Sequence, residues 1–182
     1  MRRGRAGTRI IGGGLKGEHL LLPQGLPVRP MRGRVRESLF GIIGEEVRGA
    51  RFLDLFAGTG AIAFEALSRG ARSAVLVEKH PRVLTALRRN IARLGLEGRT
   101  RLLAIDPYRT LPAVGEAFSI VFLDPPFADY REGGRNPWQL ALRLSEEGLL
   151  AGGGVRGLEC PASLEPRRPP PGVRPAGRDV VE

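Results

Sequence analysis

The sequence predicts an α/β fold in which helices cover both faces of a mostly parallel central sheet. Three observations carry the prediction. Strand-like and helix-like segments alternate regularly from residue 51 to residue 160, the pattern of repeated β-α-β units. The first strand runs straight into a Gly-x-Gly turn that opens a helix. Finally, 182 residues with 42% hydrophobic against 26% charged content suffice for one buried core and one main domain.

The elements follow in order. Residues 1–33 are rich in Gly, Pro and Arg, with short apolar runs at Ile10-Ile11 and Leu20 to Leu22, which predicts a small hairpin ahead of the main fold. Val35, Leu39, Ile42, Ile43 and Val47 recur at helical spacing and predict a helix over 34–48. Strands are expected at 51–56, 73–78, 100–105, 119–123 and 155–160, and helices at 60–69, 81–94 and 137–147. The second of these helices carries Pro81 in its first turn. A short turn or helix fits 107–114. Beyond Cys160 the chain holds six prolines and little periodicity, so 161–182 reads as a Pro-rich tail, at most a degenerate sheet edge. The expected organisation is an extension over 1–33, a main domain over 34–160 and this tail.

Charge is distributed unevenly. The net charge is +10, and Lys16 and Lys79 are the only lysines beside 27 arginines. Residues 1–36 carry +8 of it, from Arg2, Arg3, Arg5, Arg9, Lys16, Arg29, Arg32, Arg34 and Arg36 against Glu18 alone. A basic arm on a nearly neutral body is the footprint of a protein that meets polyanions, and the planar guanidinium suits phosphate. Gly12 to Gly14, Lys16 and Glu18 stand where a secretory signal would need its apolar stretch, and no window approaches a membrane span. Cys160 is the single cysteine and His19 and His80 the only histidines, so neither a disulfide framework nor a zinc site is expected. The cytoplasm is the expected compartment.

Two constellations carry chemistry. In the first, strand residues through Asp54 and Phe56 lead to Ala57-Gly58-Thr59-Gly60, where missing side chains allow a ligand to approach backbone N–H groups at a helix start. Gly58-x-Gly60-x-x-Ala63 also satisfies a dinucleotide fingerprint, and Glu78, 20 residues after Gly58, suits a ribose in either reading. Asp54 lies inside the strand, where a dinucleotide fold would have an apolar residue; an acid there suits the ammonium end of S-adenosylmethionine. Asp106 follows the third strand, where it suits an adenine amino group. The second constellation is Asp124-Pro125-Pro126-Phe127 at the end of strand four. Two prolines stiffen the loop and remove two donors, leaving the Asp124 carboxylate and the Pro125 carbonyl as acceptors with Phe127 available to stack. Such a site matches an exocyclic amine on a nucleobase.

Together these segments resemble S-adenosylmethionine-dependent methyltransferases that modify exocyclic amines. Arg9-Ile10-Ile11-Gly12-Gly13, Lys16-Gly17, Arg29-Pro30, Arg34 to Phe40, Glu65 to Ala71 and Asn90 to Gly95 extend the likeness over residues 9–160 to the RsmD-like family, bacterial 16S rRNA guanine-N2 methyltransferases. The resemblance implies a Rossmann-like class I methyltransferase domain with no metal. It implies Asp124, Pro125, Pro126 and Phe127 as the catalytic loop, and Asp54, Phe56, Ala57, Gly58, Gly60, Glu78, Lys79 and Asp106 around the cofactor. Arg9, Lys16, Arg29, Arg32, Arg34 and Arg36 would contact RNA. The implied partner is 16S rRNA or an assembling small subunit, and the implied state a monomer. Two departures stand out: Met31-Arg32-Gly33 replaces the family's polar sequence after Arg29-Pro30, and the two closing strands expected after Cys160 are reduced to a remnant at Asp179-Val180-Val181. Adenine N6 and cytosine N4 chemistry share the Asp-Pro-Pro-aromatic loop. An NAD-dependent oxidoreductase would leave that loop unexplained, and a non-catalytic RNA-binding protein would leave both constellations so.

Overall fold

The computed structural model describes residues 8–23, 25, 31, 33–113, 115–131, 135–158 and 178–181. Its centre is a six-stranded parallel sheet in the order β3-β2-β1-β4-β5-β6, built from β1 Arg51–Leu55, β2 Ser73–Val77, β3 Thr100–Leu103, β4 Phe118–Leu123, β5 Leu150–Leu158 and β6 Arg178–Val181. Strand β1 lies between β2 and β4, so the order reverses beside it, and ligands of open α/β sheets collect at the carboxyl ends around such a point.

Alternate strand residues feed two cores. Phe52, Ala74, Leu76, Ile120 and Phe122 pack under α1 Gly33–Ile43, α2 Ala61–Ser68 and α3 Pro81–Arg93, together with Ile10 and Leu20 of the N-terminal segment. Leu53, Leu55, Val75, Val77, Val121 and Leu123 pack under α4 Pro137–Glu146 and the segment holding Leu111. Both faces are covered, which is why β2 and β4 read as nearly continuous apolar runs and β1 as one interrupted by the buried Asp54.

Several boundaries differ from the expected ones for physical reasons. The first helix stops at Ile43, because Gly44 takes a left-handed φ of 59°, and a 3-10 turn over Gly44–Val47 carries Val47 into the core. Strand β5 begins at Leu150 rather than at residue 155. Gly152, Gly153 and Gly154 form an irregularity against β4, whose register jumps between Phe118↔Leu150 and Ile120↔Val155. The tail is a sheet edge at residues 178–181, where β6 pairs parallel with β5, so the remnant is a strand. Cys160 lies outside the described residues. The predicted N-terminal hairpin exists as an antiparallel bridge, Arg9↔His19, with Ile10 N–H donating to Glu18 and Leu20 N–H to Thr8.

Candidate active site

Strand register builds the site. Leu55 is level with Val77 on one side and Leu123 on the other, and Val77 is level with Leu103. The segments after four strands therefore leave one edge together. Ala57 N–H donates to Val77 O at 2.9 Å, Glu78 N–H to Leu103 O at 3.1 Å and Asp124 N–H to Leu55 O at 3.4 Å, stitching those exits side by side.

The glycine turn uses its two glycines differently. At Gly60 (φ 77°) a Cβ would lie 2.4 Å from the Phe64 ring and 2.8 Å from Leu87, so tight packing excludes a side chain. At Gly58 (φ 52°) a Cβ would meet only the Phe56 carbonyl, at 3.8 Å, and otherwise point into open space. Phe56 itself holds a left-handed φ of 67°, an uncommon conformation for a residue with a side chain, and its ring leans on Tyr108 with centroids 5.3 Å apart.

The acids at the strand ends are held in distinct ways. Glu78 Oε2 accepts from Gly58 N–H at 3.2 Å, and Oε1 accepts from the Lys79 and His80 N–H groups at 2.7 and 2.8 Å, so Glu78 ties the glycine turn to the end of β2. Asp54 is 2% exposed and accepts from Ala63 N–H, in the first turn of α2, at 3.2 Å. Burial pushes its carboxyl up to about 8; the Ala63 hydrogen bond opposes the rise and the Glu78 charge adds to it. Asp106 accepts from Arg135 at 2.6 Å, from Lys79 Nζ at 3.2 Å and from Tyr108 N–H at 3.1 Å. Burial works to raise its carboxyl, but these three bonds and the Lys79 charge outweigh that and hold it below the usual carboxylate range.

Asp124 is half-buried, Pro125 buried and Pro126 exposed. Phe127, 48% exposed, is one of three exposed large hydrophobics among the described residues. It opens a 3-10 turn, Phe127–Tyr130, whose Asp129 N–H donates to Pro126 O at 2.8 Å.

Sequence reasoning missed Tyr108 and Arg135. The Arg135 guanidinium lies 5.1 Å from the centre of the Tyr108 ring while its hydrogen bond reaches Asp106, so Phe56, Tyr108 and Arg135 adjoin one another beside the glycine turn. Burial, with Asp129 nearby, raises the Tyr108 hydroxyl above its ordinary pKa. No local pattern marks these residues, because they meet only through the strand order.

The basic residues divide. Arg9, Lys16 and Arg34 are exposed, whereas Arg29 and Arg32 lie outside the described residues. Arg36 corrects the expectation of an RNA contact. Its side chain is only 4% exposed, it faces the fully buried Glu65 at 3.8 Å, and it donates to the Arg9 carbonyl at 3.0 Å. It is an internal brace. Burial lowers its pKa, and Glu65 works in the opposite direction.

Glu65 also accepts from Ile11 N–H at 2.9 Å and from Arg69 at 2.8 Å; Ser68 Oγ accepts from Leu15 N–H at 2.9 Å. Asn90, fully buried, accepts from Leu21 N–H at 2.8 Å and donates to Leu21 O at 3.0 Å, pairing with backbone as a neighbouring strand would. These polar residues of α2 and α3 fasten the N-terminal segment to the body. The sequence signal for Glu65 was present: it is the only charge in the apolar octet of α2.

Parallel strands in this order, with a glycine turn at the switch point and an acid at each neighbouring strand end, make a Rossmann-like fold, and the proteins it is similar to are methyltransferases. Residues 8–163 match the family described as Conserved hypothetical protein 95. The chain belongs to that family, and the curated proteins it is similar to include rRNA methyltransferases. It is 40% identical over 124 residues to ribosomal RNA small subunit methyltransferase D of Escherichia coli strain K12, an alignment covering 68% of this chain and 62% of that protein. The protein of the same name from Haemophilus influenzae is 33% identical over 124 residues, covering 66% of this chain and 64% of its own length. Among solved structures, a hypothetical protein of Thermus thermophilus, TTHA0928, superposes with a TM-score of 0.69 at 34% identity, covering 86% of this chain and 88% of that one.

Proposed function

We propose that this enzyme methylates the exocyclic N2 amine of a guanine in 16S rRNA, using S-adenosylmethionine and direct in-line transfer. The observation that carries the reading is the register Leu55↔Leu123, which brings the glycine turn and Asp124-Pro125-Pro126-Phe127 to one edge as neighbours. The Escherichia coli relative's name supports the small-subunit substrate.

The residues present fit the cofactor. Open space at the Gly58 Cβ position leaves room for a ligand against the backbone, and Asp54, Glu78 and Asp106 offer acceptors at successive strand ends. In this reading Glu78 takes the ribose hydroxyls, Asp106 the adenine side, Asp54 the ammonium end, and Phe56, Ala57, Gly60 and Lys79 shape the pocket. When bound, S-adenosylmethionine supplies an electrophilic methyl group on a sulfonium. Asp124 and the Pro125 carbonyl accept the two N–H bonds of the guanine amine, which withdraws its lone pair from the ring and aims it for transfer, while Phe127 stacks on the base. Alignment does most of the work. The methylated ammonium is strongly acidic, so no dedicated strong base is needed.

Labelled methyl transfer to small subunits from a strain lacking the activity, followed by nucleoside analysis, tests the reading. N2-methylguanosine is expected; N6-methyladenosine or N4-methylcytidine would replace guanine by another base.

Two further results are expected at the cofactor side. Glu78→Ala should weaken S-adenosylhomocysteine binding by at least about tenfold, since a lost charge-assisted hydrogen bond is worth about 1.5–3 kcal/mol and the Gly58 turn loses its tether. Unchanged affinity in calorimetry would remove the ribose assignment. Asp54, with its carboxyl near 8, is protonated at neutral pH in the free protein, and a cation beside it favours the carboxylate. Cofactor binding at pH 6–7 should therefore release a proton, and the release should fade above about pH 8. Binding heats compared in buffers of different ionisation enthalpy report it, and identical heats would place the ammonium elsewhere. The sign for folding follows from the same shift. The unfolded chain ionises this group near pH 3.8, so its contribution to stability is largest below that value and is lost as pH rises towards about 8.

A further inference from the structure

Helix α3 holds Arg82, Arg88, Arg89 and Arg93 and no acid. Residues 37–182 carry +2 in all, so once these four are set aside the rest of that span is net negative, at −2. At the ends of α2 and α4 an arginine pairs with an acid four residues away, Arg69 with Glu65 and Arg143 with Glu147. On α3, Arg89 and Arg93 stand four apart as like charges, an arrangement that destabilises a helix.

All four side chains are exposed. Among the described residues Arg82, Arg88 and Arg89 are in none of the ion pairs, and Arg93 meets Glu18 at 3.2 Å. The N-terminal segment runs beside this flank. Glu18 is at Arg93 in the last turn, Leu21 is bonded to Asn90, and a Cβ on Gly25 would lie 3.6 Å from Arg82 in the first turn. That first turn follows Glu78 and Lys79 directly, so the arginines start at the active edge and lead away from it. Arg82 and Arg89, seven residues apart, are about 10.5 Å apart along the helix axis and on one side of it. The apolar face of α3, with Val83, Leu87 and Ile91, is spent on the core, which leaves no apolar face for a lipid surface.

From this geometry we infer that the exposed flank of α3 is a second phosphate-binding surface, which grips the rRNA backbone leading away from the modified base. The inference rests on the rRNA reading above. It assigns to the body of the enzyme part of the grip that the sequence assigned to residues 1–36 alone.

The test is the triple variant Arg82→Gln/Arg88→Gln/Arg89→Gln beside the control Arg72→Gln/Arg101→Gln. Arg101 is level with Val75, a residue of the opposite core, and Arg72 precedes β2 at the far edge. Each released phosphate contact contributes about 0.7–0.9 to the slope of log affinity against log salt. The triple variant should flatten the rRNA-binding slope by about two and raise the rRNA KM about tenfold at moderate salt. Its kcat and its affinity for S-adenosylhomocysteine should stay within twofold of the parent, and the control should keep the parental slope. If the parent methylates rRNA but triple variant and control keep the same slope, the α3 surface is refuted while the proposed function stands. An equal loss in the control would show a diffuse charge effect and also refute it. If the parent neither binds nor methylates rRNA, both fall.

Discussion

Asp124→Ala is expected to lower the single-turnover methylation rate by about 10²–10³-fold, the usual cost of removing one preorganised polar contact from a reacting centre. The loss should appear in kcat, because stacking on Phe127 and phosphate contacts would still hold the RNA. S-adenosylhomocysteine affinity should be close to parental, since the glycine turn and Glu78 are anchored to β1 and β2, and Asp106 is held by Lys79, Arg135 and the Tyr108 N–H rather than by Asp124. Asp124→Asn is the sharper variant. It preserves shape but replaces one acceptor by a donor, which opposes the amine N–H it should receive, so a comparable loss is expected. Quenched-flow methyl transfer with parallel calorimetry makes both measurements, and retained turnover in either variant would remove Asp124 from the chemistry.

Glu65→Ala is expected to destabilise the fold by about 3–5 kcal/mol, the range for breaking a buried ion pair from one side. Glu65 is fully buried and satisfies three groups: the Ile11 N–H, the Arg69 guanidinium and the charge of Arg36. Without it Arg36 becomes a buried cation facing no acid, its remaining described contact being the Arg9 carbonyl. For a chain of this length the loss corresponds to a fall in Tm on the order of 10 °C. Glu65→Gln, which keeps one acceptor oxygen, should lose less. Urea titration gives the energies. Hydrogen exchange locates the damage, with faster exchange expected at the Ile11, Gly14 and Leu15 amides that dock on α2. A variant as stable as the parent would show that Ile10, Leu20 and the bonds to Ser68 and Asn90 hold the N-terminal segment without Glu65.

Much of the fold was legible because its signals are local. Continuous apolar strands, Pro81 in the first turn of α3 and a glycine turn at a strand end each depend on a few neighbouring residues, and they located β1 to β4 and α2 to α4 to within one or two residues. The failures have a common origin. The 3-10 break at Gly44, the early start of β5 and the pairing of β6 depend on glycine conformation and on available sheet edges, which apolar periodicity does not encode.

The site divides in the same way. The sequence by itself determined the parallel α/β fold, the glycine turn, the acids that follow the strands and the Asp124-Pro125-Pro126-Phe127 loop, because each is a property of a short stretch of chain. Only the tertiary structure decided what each charge does. It turned Arg36 inward to Glu65, 29 positions along the chain, set Arg135 against the Tyr108 ring with its hydrogen bond to Asp106, and left Arg82, Arg88 and Arg89 of α3 in solvent while Arg93 met Glu18. The physical reason is that a charge next to water costs little, whereas a buried one must find an opposite charge or a hydrogen-bond partner. Which of these holds depends on what lies across the packing interface, often many residues away in sequence.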